Sequence, residues 1–283
     1  MEGNGFTVRR LGGVLGAAIE GLDLAGPIDE ATMAALRAAF FEHLVLVFPG
    51  QGHLSYAQHI AFAERWGALK DMPGGWIGDN KALIEIASRG GVGGGVGRGG
   101  EAHETASVAR TDVWHSDLSF EAEPPMGSLL LAREIPEAGG DTMFANQYLA
   151  YETLSPAMRA MLDPLGAVHS GEGLWRLKGL DPALAPRSVH PIVRTHPESG
   201  RKALFVNAVW TKEIAGMTPA ESAPLLNFLY AHASEPNFTF RHRWSAGDLL
   251  MWDNRCVQHY AVRDYGHATR VMNRITVCGT APR

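Results

Sequence analysis

From residue 248 the chain reads Asp248-Leu249-Leu250-Met251-Trp252-Asp253-Asn254-Arg255-Cys256-Val257-Gln258-His259. Asp248 to Trp252 is a strongly apolar strand signal, stopped by the turn residues that follow it. Comparable signals recur at Gly127 to Ala132, Pro191 to Thr195, Ala203 to Val206, Phe238 to Trp244 and Val271 to Val277. Turn clusters separate them, and Pro197-Glu198-Ser199-Gly200 has the composition of a hairpin turn. So many short strands in one half of a chain predict a jelly-roll-like sandwich with helical decoration.

The helices lie mainly outside this run. Strands are expected at Phe6 to Val8 and Val14 to Ile19, then a helix opened by Asp29 with Met33, Leu36 and Phe40 on one stripe. Leu44 to Phe48 follows as a buried strand. Ser55 caps a second helix that turns Tyr56, Ile60 and Ala63 inward, and Gly67 closes it. Later helices start at Asn146, restarting at Ser155-Pro156, and at Thr218-Pro219-Ala220-Glu221, a capping box with proline at the first helical position.

With 283 residues, 46% hydrophobic and 19% charged, the chain is large enough to bury one core without staples. No repeat or linker divides it, so one domain over 1–283 is expected. A formal charge of −5 lacks the basic footprint of a nucleic-acid binder, which favours small-molecule chemistry. No apolar run approaches the roughly 20 residues of a membrane span, and the opening Met1-Glu2-Gly3-Asn4 is no signal peptide, so a cytoplasmic protein without a membrane partner is expected. Cys256 and Cys278 sit in apolar or strand-like sequence and read as reduced, buried thiols. Between residues 90 and 100 eight of eleven residues are glycine, so the stretch from about 88 to 111 reads as a mobile loop and candidate lid.

That loop precedes Trp114-His115-Ser116-Asp117. On a strand, residues two apart share a face, so His115 and Asp117 could reach one metal ion. The spacing is weak evidence by itself: twelve His and twelve Asp give on the order of half a His-x-Asp by chance. His196-Pro197-Glu198 has the same spacing, but it falls on the predicted hairpin turn, where its side chains are expected to face solvent. His259 follows the apolar strand, and a lone histidine there is more often a satisfied core residue. Eleven residues further on, Arg270, Met272 and Arg274 share one strand face and Val271, Asn273 and Ile275 the other. Either the arginines face solvent on an edge strand, or they are buried and each needs an anion such as a carboxylate or sulfonate.

Taken together these segments resemble the taurine and phenoxyacetate-herbicide branch of the Fe(II)/2-oxoglutarate dioxygenases, the TauD/TfdA family. The resemblance runs through Gly16-Ala17, Gly21-Leu22-Asp23-Leu24, Phe48-Pro49-Gly50-Gln51, Trp66-Gly67-Ala68-Leu69, Trp114 to Asp117 with Phe120, and Pro124-Pro125. It continues in Gly139-Gly140-Asp141-Thr142, Thr195-His196-Pro197 with Ser199-Gly200, Leu204 to Asn207, Trp252 to Arg255, Gln258-His259 and Arg270 to Arg274. It implies a mixed α/β fold with a double-stranded β-helix (jelly-roll) core and flanking helices.

The resemblance also implies that His115, Asp117 and His259 hold Fe(II). Arg270 and Thr142 would take the distal carboxylate of 2-oxoglutarate, and Arg274 the anionic end of the primary substrate, with Trp252 packed near the metal. O2 and 2-oxoglutarate would be consumed and succinate and CO2 released. A carbon beside the substrate's heteroatom would be hydroxylated, after which sulfite, sulfate or a phenol is lost. Where taurine-oxidising members use His, Tyr and Asn on the substrate, this chain has Met72, Gly75 and Thr111. A pocket of Met72, Leu118, Thr111 and Trp76 or Trp210 suits an apolar body carrying an acid: a sulfonate, sulfate ester or aryloxyalkanoate. Family members commonly form dimers or tetramers, so a homo-oligomer is expected. A zinc hydrolase on the same three residues leaves Arg270 and Thr142 idle, and an inactive jelly-roll binding protein leaves the whole set idle.

Overall fold

In the computed structural model, residues 5–89 and 112–283 are described. The predicted loop at 88–111 and Thr111 therefore fall almost wholly outside the described residues. The first third contains β1 (Thr7–Arg10), β2 (Ala17–Glu20), α1 (Glu30–His43), β3 (Val45–Phe48), α2 (Tyr56–Glu64), β4 (Trp76–Ile77) and β5 (Asn80–Ser88). The middle contains β6 (Gly127–Glu134), β7 (Thr142–Asn146), α3 (Gln147–Glu152), α4 (Pro156–Leu162), β8 (Gly166–Ser170), α5 (Glu172–Leu177), β9 (Arg187–Pro191), β10 (Val193–Thr195), β11 (Lys202–Leu204) and β12 (Thr211–Ile214). The chain finishes with α6 (Pro219–Ala233), β13 (Thr239–His242), β14 (Leu249–Asp253), β15 (Val257–Ala261) and β16 (Arg270–Val277).

The result is mixed α/β and dominated by sheet. One sheet runs β1-β2-β3-β14-β6-β16-β5-β4, and three smaller ones are β13-β7-β15, β12-β8-β9 and β10-β11. All pairings are antiparallel except β2 with β3. The period-2 alternation of the opening stretch determines the layering. Leu249 and Met251 join a core with Met33, Leu36 and Phe40 of α1 and Phe62 of α2. Leu250 and Trp252 point the other way, into a core shared with Phe144 of β7 and Val257 of β15. The large sheet is thus covered by helices on one face and by the β13-β7-β15 sheet on the other. Its central strands can be apolar throughout because neither face meets water.

Helix ends follow the local chemistry. Asp29 accepts from Thr32 N at 2.8 Å, Ser55 and Gln58 form a reciprocal capping box, and Thr218 and Glu221 form another. Helix α1 stops at Leu44, which takes φ +64 and donates its N–H to Phe40 O. Two expectations need correction. Tyr56 is 48% exposed, and the inner face of α2 is His59, Phe62 and Ala63. Residues 59, 62 and 63 form the stripe that packs on the sheet, with Ile60 at its margin and Tyr56 beneath Arg133. Cys256 is buried as expected, but Cys278, just beyond β16, is exposed; both are free thiols.

His59 is fully buried and neither ring nitrogen has a hydrogen-bond partner. Burial, helped by Arg133, pushes its pKa down to about 3. Because the unfolded value is about 6.5, the unfolded state binds the extra proton first as pH falls. Stability is complete above that value and drops by about 1.4 kcal/mol per pH unit for this residue as pH falls from there toward 3. We expect His59→Leu to gain more in thermal stability over the parent at pH 5 than at pH 7.5. Identical gains at both pH values would remove the titration argument.

Candidate functional site

His115 and His259 exchange both backbone hydrogen bonds, at 3.1 and 2.8 Å, in an isolated antiparallel bridge. Residues paired in this way send their side chains to one face, and the two imidazole centroids lie 4.2 Å apart. The expected strand through His115 and Asp117 is absent: one bridge at His115 gives way to a turn at Asp117. Leu118 takes φ +48 there, an uncommon conformation for a branched side chain. The turn brings the Asp117 carboxylate to the imidazoles, with Oδ1 at 3.8 Å from Nε2 of each.

The surroundings prepare these three groups as ligands. All are buried, and one donor atom from each lies within 4.8 Å of the others. Nδ1–H of His115 donates to Val113 O at 2.7 Å, leaving its Nε2 lone pair toward Asp117. Burial lowers the pKa of His115 below its ordinary value; burial, with His115 beside it, pushes that of His259 down to about 3, and both rings are neutral at pH 7. Burial opposes ionisation of Asp117, but the Arg274 guanidinium beside it outweighs that and holds the carboxyl below the usual range. Arg274 donates to Asp117 Oδ2 at 2.5 Å and Ser128 Oγ donates to the same oxygen at 3.1 Å, so Oδ1 is left to face the imidazoles. Two neutral imidazoles and one carboxylate, converging in a buried site, fit a divalent metal such as Fe(II).

Behind them lies a cation with unmet demand. Strand β16 is no edge strand: β6 and β5 flank it. Met272 enters the inter-sheet core and Ile275 the helix-side core, so Arg270 and Arg274, in phase with Met272, face between the sheets. Arg270 is 9% exposed, and its Nε donates to Gly140 O at 3.2 Å. Among the described residues no carboxylate forms an ion pair with it, and burial lowers its pKa. Trp244 stands 5.8 Å beneath its guanidinium and donates Nε1–H to Thr142 Oγ1 at 3.0 Å. Thr142 is in phase with Phe144, which pairs with His259, so its hydroxyl belongs to the same interior face. Arg270 and Thr142 are suited to share an anionic group.

The remaining predicted residues are dispersed. Trp76 pairs with Ile84, and Ile84 with Arg274. Cross-strand partners share a face, so these three form one row, its ends roughly 10 Å apart. Met72 is half-buried and its carbonyl accepts from Trp76 Nε1. Leu118 is partly buried beside Asp117. Trp210 is buried against Phe120 at 4.8 Å, and its N–H donates to Asn207, whose amide in turn donates to Ser119. Trp252 packs on the His259 ring at 4.8 Å.

His196 does not face solvent as the turn suggested. It is 1% exposed and donates Nε2–H to Asp253 at 3.0 Å. Glu198 and Asp253 both bind Arg255, so this pair belongs to an internal ion network. A second potential donor group, His196, Asp253 and Cys256, lies in that network. There Asp253 is occupied by Arg255 and His196, and burial, then Asp253, keep the Cys256 thiol protonated. The sequence reading assigned no role to Ser128, Trp244 or Asn254, although Asn254 stood in a quoted motif.

Comparison with known proteins places the chain in a family. The sequence model of the family described as taurine catabolism dioxygenase TauD, TfdA family matches residues 7–276. The chain belongs to that family, and it is a 2-oxoglutarate-dependent dioxygenase whose relatives imply O2 and a bound divalent metal. It is 35% identical to an alkylsulfatase of Acinetobacter baylyi over 96% of this chain and 84% of that one. Identity is also 35% to the α-ketoglutarate-dependent 2,4-dichlorophenoxyacetate dioxygenase of Cupriavidus pinatubonensis, over 94% of this chain and 95% of that one. Among solved structures, AAD-2 in complex with Mn(II) and N-oxalylglycine superposes with a TM-score of 0.83 at 30% identity, covering 98% of each chain. Among the described residues, no helix is long and apolar enough to cross a membrane.

Proposed function

We propose that His115, Asp117 and His259 hold Fe(II), that Arg270 and Thr142 bind the distal carboxylate of 2-oxoglutarate, and that Arg274 receives the anion of the primary substrate. The substrate is a small organic acid with an apolar body, a sulfonate, sulfate ester or aryloxyalkanoate, hydroxylated beside its heteroatom. The observation that carries this reading is the pair of arginines on one face of β16, Arg270 buried and Arg274 partly buried, four residues and roughly 13 Å apart, on either side of Met272. Two separated cations accommodate two anionic ligands. The relatives named above, an alkylsulfatase and a 2,4-dichlorophenoxyacetate dioxygenase, support the same class.

The metal with its cosubstrate supplies the oxidising chemistry. The chain's residues do the rest by position. Arg270 orients the cosubstrate, and the Trp244 face beneath it keeps water from the guanidinium. Arg274 exchanges part of its contact with Asp117 for the substrate anion, so substrate arrival alters the ligand carboxylate directly. Trp76 and Ile84 extend that row as an apolar shelf, and Met72, hydrogen-bonded to Trp76, and Leu118, beside Asp117, are the residues proposed to border it.

The fold is proposed as a double-stranded β-helix, one domain over 1–283. A homo-oligomer, dimer or tetramer, is supported by the exposed Leu177, Leu180, Leu184 and Val189 near edge strand β9. Two free thiols support a cytoplasmic location.

The test is anaerobic titration with Fe(II), then 2-oxoglutarate, then candidate acids, following the visible charge-transfer band. Apolar sulfate esters or aryloxy acids should shift the band and be turned over faster than taurine. In Arg274→Ala the band should still form with 2-oxoglutarate while the acid concentration needed to shift it rises about 10- to 100-fold. A taurine rate above that of every apolar acid would overturn the substrate class.

A further inference from the structure

The turn between β14 and β15 joins the two halves of the site. Asn254 accepts from the Asp117 N–H through Oδ1 at 2.6 Å and donates through Nδ2 to the Asp117 carbonyl at 2.9 Å and to Pro125 O at 3.1 Å. One side-chain amide therefore satisfies both backbone groups of a residue 137 positions earlier. The next residue, Leu118, is held at φ +48, a conformation that costs a branched residue on the order of 1 kcal/mol or more.

The turn bearing Asn254 is itself immobilised. Asp253 is fully buried and accepts from Arg255 N at 3.0 Å, Arg255 Nε at 2.8 Å, Arg255 NH2 at 2.7 Å and His196 Nε2 at 3.0 Å. The Asn254 N–H donates to Met126 O at 2.9 Å, and Asp253 N–H to Leu44 O at 2.9 Å. Six residues after Asp253 comes His259, on the strand that the same turn starts. Nothing in this network touches the donor atoms of the proposed iron ligands, yet its output is the placement of the Asp117 backbone.

We propose that Asn254 is a positioning residue for the carboxylate ligand. Its amide clamps the Asp117 peptide groups so that Leu118 takes the left-handed turn and Oδ1 of Asp117 is presented between His115 and His259. The buried Asp253–Arg255–His196 cluster is the rigid base from which it acts. This inference rests on the assignment of the three ligands above.

A carboxylate in place of the amide keeps the size and the acceptor for Asp117 N–H. It loses the donor, however, and sets an anionic oxygen against two carbonyls. In purified, folded protein well below its melting temperature, Asn254→Asp should weaken Fe(II) and Co(II) affinity about 10- to 100-fold, the usual effect of removing a group that orients a metal ligand. The visible Co(II) spectrum should change with it. A role in packing alone lowers the melting temperature and leaves the affinity and spectrum of the folded protein intact.

A second variant serves as a rescue. Glycine adopts positive φ without penalty, so adding Leu118→Gly to Asn254→Ala should recover a substantial part of the metal affinity that Asn254→Ala loses. Wild-type affinity and spectrum in folded Asn254→Asp, or no recovery in the double variant, would overturn the proposal. His115→Ala is measured alongside: if it binds metal normally, the ligand assignment has failed, and not the positioning role.

Discussion

His115→Ala is expected to lose metal affinity by more than about 100-fold, and with it turnover to the background rate. Loss of groups that merely orient a ligand already costs 10- to 100-fold in metal affinity, and this substitution removes a donor atom outright. The remaining pair, Asp117 and His259, cannot enclose an ion from one face. Because the ring is neutral and buried at pH 7, its removal takes away no folding charge pair. The variant therefore keeps most of the fold, apart from the cavity and the lost contact with Val113 O. Direct titration with Fe(II) or Mn(II), scored beside a melting curve, checks both halves. Tight stoichiometric binding by a folded His115→Ala protein would remove the three-ligand assignment.

Arg270→Met should separate function from stability. Replacing a buried charged partner costs about 2–5 kcal/mol of ligand binding, so the 2-oxoglutarate KM is expected to rise from roughly 30-fold to a few thousand-fold, with metal affinity changed little. Stability should move in the opposite direction. In the ligand-free protein Arg270 is a buried guanidinium with one carbonyl acceptor and a tryptophan face, and burial disfavours its charge. A methionine of similar length has no such burden, so the ligand-free variant should melt higher than the parent. At one fixed concentration that saturates the parent, 2-oxoglutarate should raise the parent's melting temperature well above the rise it gives the variant. A variant less stable than the ligand-free parent, with an unchanged KM, would show that Arg270 is structural and serves no ligand.

These two substitutions act on residues that could be found in the sequence, because each carries its chemistry in its own side chain. The His-x-Asp pair, the histidine after an apolar strand, and two arginines in phase on another strand are local patterns. Their meaning as a set came from resemblance across the chain, since each alone has an ordinary structural explanation. The helix caps at Asp29, Ser55 and Thr218 were equally legible, because a cap is a bond between residues three apart. The strand from Arg270 to Val277 was placed to within a residue. Strands β4, β5, β7, β8, β9, β12 and β15 were not named, since short runs such as Thr142–Asn146 mix polar and apolar residues without a clean alternation.

Other features depended on neighbours distant in sequence. The turn at Pro197 suggested that His196 faces solvent, but Asp253, 57 residues away, draws its ring inward. The inner face of α2 was misjudged by one position because its orientation is set by the sheet it covers. Asn254 showed no local sign of its positioning role, because its three partners lie 129 and 137 residues away.

By itself, then, the sequence determined the caps that open the main helices, the central strands of the large sheet and the alternation that gives it two buried faces, and the inventory of donors and cations. Those properties follow from side-chain periodicity and from hydrogen bonds spanning a few residues. Only the tertiary structure decided which histidine-carboxylate spacing converges on a second histidine, that Arg274 rests on Asp117, and that Asn254 holds the turn between them. Each of these depends on strand register between segments more than a hundred residues apart. Register is set by the packing of the whole sheet pair, because a slip of one residue would turn every one of these side chains to the opposite face.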